Sequence, residues 1–359
     1  MKLLIIFIGL VFSTFVAAQS GKNGFPEDFD DSQRGFNSMR IVFYNVENLF
    51  DPQKDSIKHD ESFTPEGNNH WSKYKYWTKQ KKIAQVLTSV GGWEMPSIIG
   101  LCEVENKHAL INLAYHTSLK NSKYAIVHHE SEDYRGIDVA LLYRKEKFKV
   151  IKDTAYNVRF SFDKNSRTRN ILHITGIALD TDTLHIFVTH WPSKYGGAFV
   201  TIPKRKFVAS EIRKYSQQIL KKNPYANIII MGDFNDTPDE VSVTKGLKAR
   251  SPDNYKEGDL VNLMYPLMSE KIGSHFYAGE TGSEWSVLDQ MVVSSNLLDK
   301  TNLLKVKGNK AHIFSADFLL EKNNKGIIVP NRTFIGMKYH GGFSDHLPVY
   351  MDIKIGNKE

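Results

Sequence analysis

Nine short runs of β-branched, aliphatic and aromatic residues punctuate the chain: Arg40 to Val46, Ile98 to Leu101, Tyr124 to His128, Ile137 to Arg144, Ile171 to Ala178, Leu184 to His190, Asn227 to Asp233, Val287 to Val293 and Leu347 to Ile355. Runs of this length and composition read as strands with at least one buried face. A few helices lie between them. The clearest carries Ile83, Val86, Leu87 and Val90 at helical spacing, and another carries Val208, Ile212, Tyr215 and Ile219 after Thr201 and Pro203. A parallel α/β fold needs more helices than this, because each parallel crossover requires one. The pattern predicts two packed sheets covered on the outside by helices. No Gly/Ser-rich or Pro-rich linker and no repeat interrupts the chain after residue 40, so residues 39–356 are expected to form a single domain.

The first residues read differently. One lysine, an apolar stretch from Leu3 to Val16 and the small residues Ala17 and Ala18 form a signal-peptide pattern over residues 1–18. The stretch falls short of the roughly 20 apolar residues that a bilayer helix needs. Export without a stable membrane anchor is therefore expected. Residues 19–38, rich in Gly, Asp and Ser, read as a flexible leader. Cys102 is the only cysteine, so disulfides are not part of the design, and a chain of 359 residues buries enough surface without them. The net charge of +7 fits an anionic substrate without identifying one. A monomer is expected.

The strand ends carry the chemistry. Ile228 to Asp236 reads Ile-Ile-Ile-Met-Gly-Asp-Phe-Asn-Asp, and alternation along an extended backbone predicts Asp233 and Asn235 on one face with Phe234 on the other. Asn45 and Glu47 end the first run in the same way. Glu103 follows the second, His190 ends the sixth, Asp289 lies inside the eighth, and Ser344, Asp345 and His346 precede the last. A single acid at a strand end is ordinarily a loop residue or a helix cap. Six ends that present carboxylate, amide or imidazole together predict a shared site.

The segments FYNVEN, GLCEVEN, GIDVALLYR, VTHWPS, MGDFND, WSVLDQMVVS and FSDHLPV, taken in that order from about Arg40 to Ile355, resemble the endonuclease/exonuclease/phosphatase superfamily. That group includes pancreatic-type deoxyribonucleases, exonuclease III-type nucleases, inositol polyphosphate phosphatases and bacterial sphingomyelinases. The resemblance implies an α/β four-layer sandwich, two mixed β-sheets packed together and flanked by helices. It also implies Mg²⁺-dependent, often Mn²⁺-tolerant, hydrolysis of phosphate esters. Glu103 would be the principal metal ligand, with Glu47 and Asp345 as direct or water-bridged ligands. Asn45 and Asn235 would donate to phosphate oxygens, and Asp233 would orient or deprotonate the attacking water. His346, held by Asp289, would contact the scissile phosphate, and His190 would serve as general acid or phosphate clamp. These roles suit the chemistry, since an anionic diester needs cationic stabilisation, an aligned water and a neutralised leaving oxygen.

The expected activity is that of a secreted phosphodiesterase cleaving DNA or RNA. A phosphomonoesterase or phospholipase C-type hydrolase, and a catalytically dead binding module, are the alternatives. Other residues carry weaker signals. Lys194, in the loop after His190, and Arg169 are candidate phosphate contacts, while Arg144 suits an internal salt bridge. Glu105, Asp236 and Asp239 suit caps and turns. The segment from Asp51 to Tyr76 reads as an insertion that is either a lid or a packed element, with Trp71 open to both readings. Gln290 stands where the family often carries an aromatic or histidine, which puts local substrate contacts in question. His128, His129, His275 and His340 lack metal-ligand spacing and are expected to be structural.

Overall fold

The structure is a computed structural model, described for residues 29–30, 32, 34–55, 57–270, 273–278 and 283–356. The expected signal peptide and most of the expected leader lie outside these residues. All nine runs are strands. In chain order β1 is Ser38–Leu49, β2 Ile98–Val104, β3 Ala125–His128, β4 Asp138–Tyr143, β5 Phe148–Tyr156, β6 Ile171–Ala178, β7 Asp182–His190, β8 Asn227–Asp233 and β9 Leu260–Asn262. Asp289–Ser294 and the C-terminal Val349–Ile355 complete the large strands. The runs missed β5 because Lys149, Lys152 and Asp153 interrupt its apolar residues. It is an edge strand with one wet face, where such residues are tolerated.

The first sheet runs Leu304–Val306, Val349–Ile355, β1, β2, β4, β3, and the second runs β5, β6, β7, β8, Asp289–Ser294, β9. Each sheet is mixed, with β1 and β2 parallel in one and β7 and β8 parallel in the other. Alternation places Ile41 and Phe43 of β1 against Ile229 and Met231 of β8 and Met291 in the central core. The other face of β1, Val42 and Tyr44, packs on the helix α1 (Lys73–Gly91) through Ile83, Val86, Leu87 and Val90, with α2 (Lys107–Tyr115) beside it. Ile228 and Ile230 of β8 likewise pack outward on Val208, Ala209 and Ile212 of α3 (Ala198–Lys222). These strands are buried on both faces, which is why their sequences read as continuous apolar runs rather than alternating ones. The result is the predicted four-layer sandwich.

Gly232 shows how tightly β7 and β8 approach. A Cβ there would lie 2.1 Å from the carbonyl oxygen of Thr189. Backbone cannot yield as a flexible side chain can, so Gly232→Ala is expected to cost about 2–3 kcal/mol, read as a lowered urea midpoint with an unchanged slope.

The insertion is packed rather than lid-like at its tryptophan. Trp71 is fully buried, donates from Nε1 to the carbonyl of Phe50 at 2.8 Å, and stands against Phe334 with ring centroids 5.9 Å apart. The end of the leader is also tied down. Arg34 is buried and donates to the carbonyls of Gly91 and Glu94. No helix among the described residues is long and apolar enough to cross a membrane.

Candidate active site

The strand ends of both sheets meet at Asp233. Parallel pairing of β7 with β8 sets His190 opposite Asp233, and antiparallel pairing on the other side sets Asp289 opposite it. From the facing sheet, Asn45 of β1 donates through Nδ2 to Asp233 Oδ2 at 3.1 Å and lies 3.5 Å from Glu103 Oε1 of β2. His346 Nδ1 is 2.7 Å from Asp289 Oδ2, while its Nε2 stands 3.7 Å from Asp233 Oδ2. His190 Nε2 is 3.5 Å from that same oxygen. Two imidazoles and one amide thus converge on a single carboxylate oxygen. Ser344 fixes the loop by donating from Oγ to the Asn45 carbonyl at 2.7 Å and accepting from the His346 amide at 3.1 Å.

The local backbone differs from simple alternation. Glu47, Glu103 and Asn235 all have left-handed φ, at 49°, 61° and 52°. The register of β1 with β2 shifts between Asn45 and Leu49, and that of β2 with β4 shifts between Cys102 and Val104, so Glu47 and Glu103 sit on irregularities that redirect their side chains. A glutamate in this region costs on the order of 1–2 kcal/mol, which the surrounding core offsets. The regular strand β8 stops at Asp233. Asn235 therefore does not reach the site by strand alternation. Its amide N–H donates to Asp233 Oδ1 at 2.8 Å in an Asx turn, and its Nδ2 donates to the Trp191 carbonyl at 3.1 Å. One amide hydrogen of Asn235 remains to face a ligand.

The three expected metal ligands divide into two groups. Glu103 Oε2 accepts from the Asn48 amide at 3.0 Å on the Asn45 side. Glu47 and Asp345 are joined through Arg332, whose guanidinium lies 3.4 Å from Glu47 and 2.9 Å from Asp345. Lys79 of α1 is buried nearby, donating to Thr333 Oγ1 and the Phe343 carbonyl, each at 2.5 Å. Burial lowers its pKa to about 8 against the pull of Glu47 and Asp345. Burial, reinforced by the Asp345 charge, raises the pKa of Glu47. Crowded acids whose donors are all hard oxygens suit a hard divalent cation.

Electrostatics separate the two histidines. Burial, together with Arg169, Arg135 and His346, depresses the pKa of His190 well below its ordinary value, which leaves that ring neutral. Burial opposes the charge of His346 too, but Asp289 and Asp233 outweigh it and hold its pKa well above the ordinary value. Burial pushes Asp233 up to about 7, with His346 resisting and Asp289 reinforcing.

Several expectations need correction. Lys194 points its Nζ at Glu240, 2.9 Å away, and Asp236, 3.6 Å away, so it is committed to the loop rather than to phosphate. Arg169 is buried and joins Asp133 Oδ2 at 3.1 Å to the Trp191 carbonyl at 2.7 Å. It braces the wall behind His190. Arg169→Ala is expected to destabilise the protein by about 3 kcal/mol, because Asp133 would be left buried without its partner; thermal or urea unfolding measures it. Gln290 is fully buried, accepts through Oε1 from Asn262 Nδ2 and donates through Nε2 to the Asp236 and Val287 carbonyls, facing away from the site. His275 is no remote structural histidine. It forms a bridge with His346, their ring centroids are 4.7 Å apart, and burial lowers its pKa to about 4. Arg144 does sit in a salt bridge with Glu94, at 3.1 Å.

Sequence patterning does not single out Arg332, Lys79 or Arg135. Lys79 still had a signal, since it falls on the stripe of Tyr76, Ile83 and Val86 that α1 buries. Arg332 had none, because its chain neighbours form two small hairpins, Leu320–Lys322 with Ile328–Pro330 and Phe334–Ile335 with Lys338–Tyr339, that only the tertiary fold carries to the site.

A four-layer sandwich with acids, amides and imidazoles at the shared ends of two mixed sheets is the architecture of a phosphoesterase. The model of the endonuclease/exonuclease/phosphatase family matches residues 40–355, and the chain belongs to that family. Solved structures share the fold. TDP2 from C. elegans is 16% identical with a TM-score of 0.54, the match covering 88% of this chain and 75% of that one. D. rerio TDP2 complexed with single strand DNA product is 14% identical with a TM-score of 0.53, covering 88% and 99%. A Bacteroides thetaiotaomicron mannosyl-6-phosphatase is 16% identical with a TM-score of 0.53, covering 88% and 99%. No curated protein matches.

Proposed function

We propose that this protein is an exported, Mg²⁺-dependent phosphodiesterase that hydrolyses nucleic-acid phosphodiester bonds as a monomer. The observation that carries the reading is the placement of His190 and His346 within 4 Å of one oxygen of Asp233. Such an arrangement brackets a phosphate with one neutral and one cationic imidazole while a carboxylate faces the attacking water. Asp233 takes a proton from that water as its oxygen attacks phosphorus and the bond to the leaving oxygen breaks. His346, oriented by Asp289, stabilises charge on the phosphoryl oxygens, and Asn45 and Asn235 donate to them. His190, being neutral, acts as a hydrogen-bonding clamp rather than an acid. A divalent cation held by Glu103, Glu47 and Asp345 would supply positive charge to the phosphate and leaving oxygen. The exposed Tyr195, in the loop that follows His190, and Phe199, in the first turn of α3, offer faces on which unpaired bases can stack. The apolar N-terminal stretch and the positive net charge fit export and a polyanionic substrate.

A second reading, a phosphomonoesterase, is favoured by Arg332, whose partly exposed guanidinium suits the extra charge of a terminal phosphate. Purified protein is to be incubated with plasmid DNA, RNA, sugar phosphates and inositol phosphates, with Mg²⁺, Mn²⁺ or EDTA. Metal-dependent strand cleavage, lost in EDTA, is expected. Phosphate release from monoesters without cleavage of either nucleic acid would replace the nuclease reading.

A further inference from the structure

We propose a second divalent-cation site, built from His128, Glu130 and Asp138, that fastens the rim of the active cleft. His128 ends β3 and Asp138 begins β4, and the loop between them carries Glu130. One ligand atom from each of the three lies within 4.8 Å of the others. The side chains of His128 and Asp138 are 2% and 1% exposed. His128 Nε2 and Asp138 Oδ2 stand 3.3 Å apart, yet neither makes a hydrogen bond. They are in ion-pair contact without a hydrogen bond, and buried polar atoms left without hydrogen bonds cost free energy unless something between them completes their coordination.

The charge around the cluster points the same way. Glu130 lies against Asp138, and burial together with that neighbour raises its pKa. Lys58, whose charge acts on Glu130, spends its Nζ on the Ser131 and Asp133 carbonyls at 2.6 and 3.5 Å. The other oxygen of Asp138 accepts from the Ser131 amide at 2.9 Å, which fixes the carboxylate and leaves Oδ2 aimed at the imidazole. One imidazole and two carboxylates form a donor set that suits Zn²⁺, with water in the fourth position. This set shares no residue with the site around Asp233.

The loop so fastened has a role in the cleft. Asp133 on it grips Arg169, which in turn holds the Trp191 carbonyl next to His190, and Arg135 on it contributes to the field at His190. A cation at its base would hold the loop at the two strand ends from which it springs.

The test uses the full chain, stripped with chelator and titrated with Zn²⁺ by calorimetry, in a Glu103→Gln background that weakens the site at Asp233. One equivalent is expected to bind and to raise Tm. Adding Glu130→Gln, a change at a half-exposed side chain that leaves the fold intact, is expected to weaken that equivalent at least tenfold and to remove the Tm shift. Adding Asp138→Asn should abolish it. Zn²⁺ that fails to bind, or that binds and stabilises the Glu130→Gln protein as it does its parent, would overturn the proposal.

Discussion

Asp233→Asn is expected to lower kcat by on the order of 10³ on a generic diester such as bis(p-nitrophenyl) phosphate, with the fold retained. The amide matches the carboxylate in shape but has one acceptor oxygen, so it keeps either the Asn45 side chain, which donates to Oδ2 at 3.1 Å, or the Asn235 amide, which donates to Oδ1 at 2.8 Å, a loss smaller than the cost of the buried charge that it removes. It cannot take a proton, and it withdraws one of the two negative charges that keep His346 protonated. Stability should move the other way. The folded state raises the pKa of Asp233 from 3.8 to about 7, so the folded protein binds this proton more tightly than the unfolded chain does. The stabilisation that this proton gives is complete below the unfolded value and is lost as pH rises from about 4 through 7. At pH 8 the wild-type protein therefore carries a buried charge that the variant lacks, and Tm of Asp233→Asn should equal or exceed that of the parent. Steady-state rates with a thermal melt at pH 8 check both halves. A near-normal rate would remove Asp233 from the mechanism.

His346→Ala is expected to cost a comparable factor in kcat and, unlike the first variant, to destabilise. Asp289 is fully buried, its Oδ2 is held by His346 Nδ1 at 2.7 Å, and its Oδ1 has no hydrogen-bond partner. Removing the imidazole strands that charge, at a cost of about 3–5 kcal/mol. The double variant His346→Ala, Asp289→Asn should regain much of the stability and none of the activity. Urea unfolding separates the two effects, because a histidine that served only the fold would recover its rate when the charge is removed.

Much of this was legible beforehand. The two-sided burial of β1, β2, β4 and β8 shows in their sequences as unbroken apolar runs, and the few helices between the runs exclude an all-parallel sheet. The polar residues that follow Phe43, Leu101 and Met231 mark the site because a buried strand has no other place to put them. Distance in sequence hid the rest. Arg332 comes from small hairpins with weak local signals, His275 meets His346 across a bridge over 71 positions, and the tie of Lys194 to Glu240 spans a helix and a strand.

Backbone detail was hidden for a different reason. Alternation predicts sides of a regular strand, yet Glu47, Glu103 and Asn235 reach the site from left-handed positions after the regular pairing breaks. Such positions are set by the packing of whole sheets, which supplies the energy that holds them. The sequence by itself determined the layers, the strands and the set of acids, amides and imidazoles, because hydrophobic period and residue chemistry are local properties. Only the tertiary structure decided that Asp233 Oδ2 is their meeting point, that Lys194 and Arg169 brace loops, and that Arg332 stands between two acids, because each depends on which strands become neighbours and where their pairing ends.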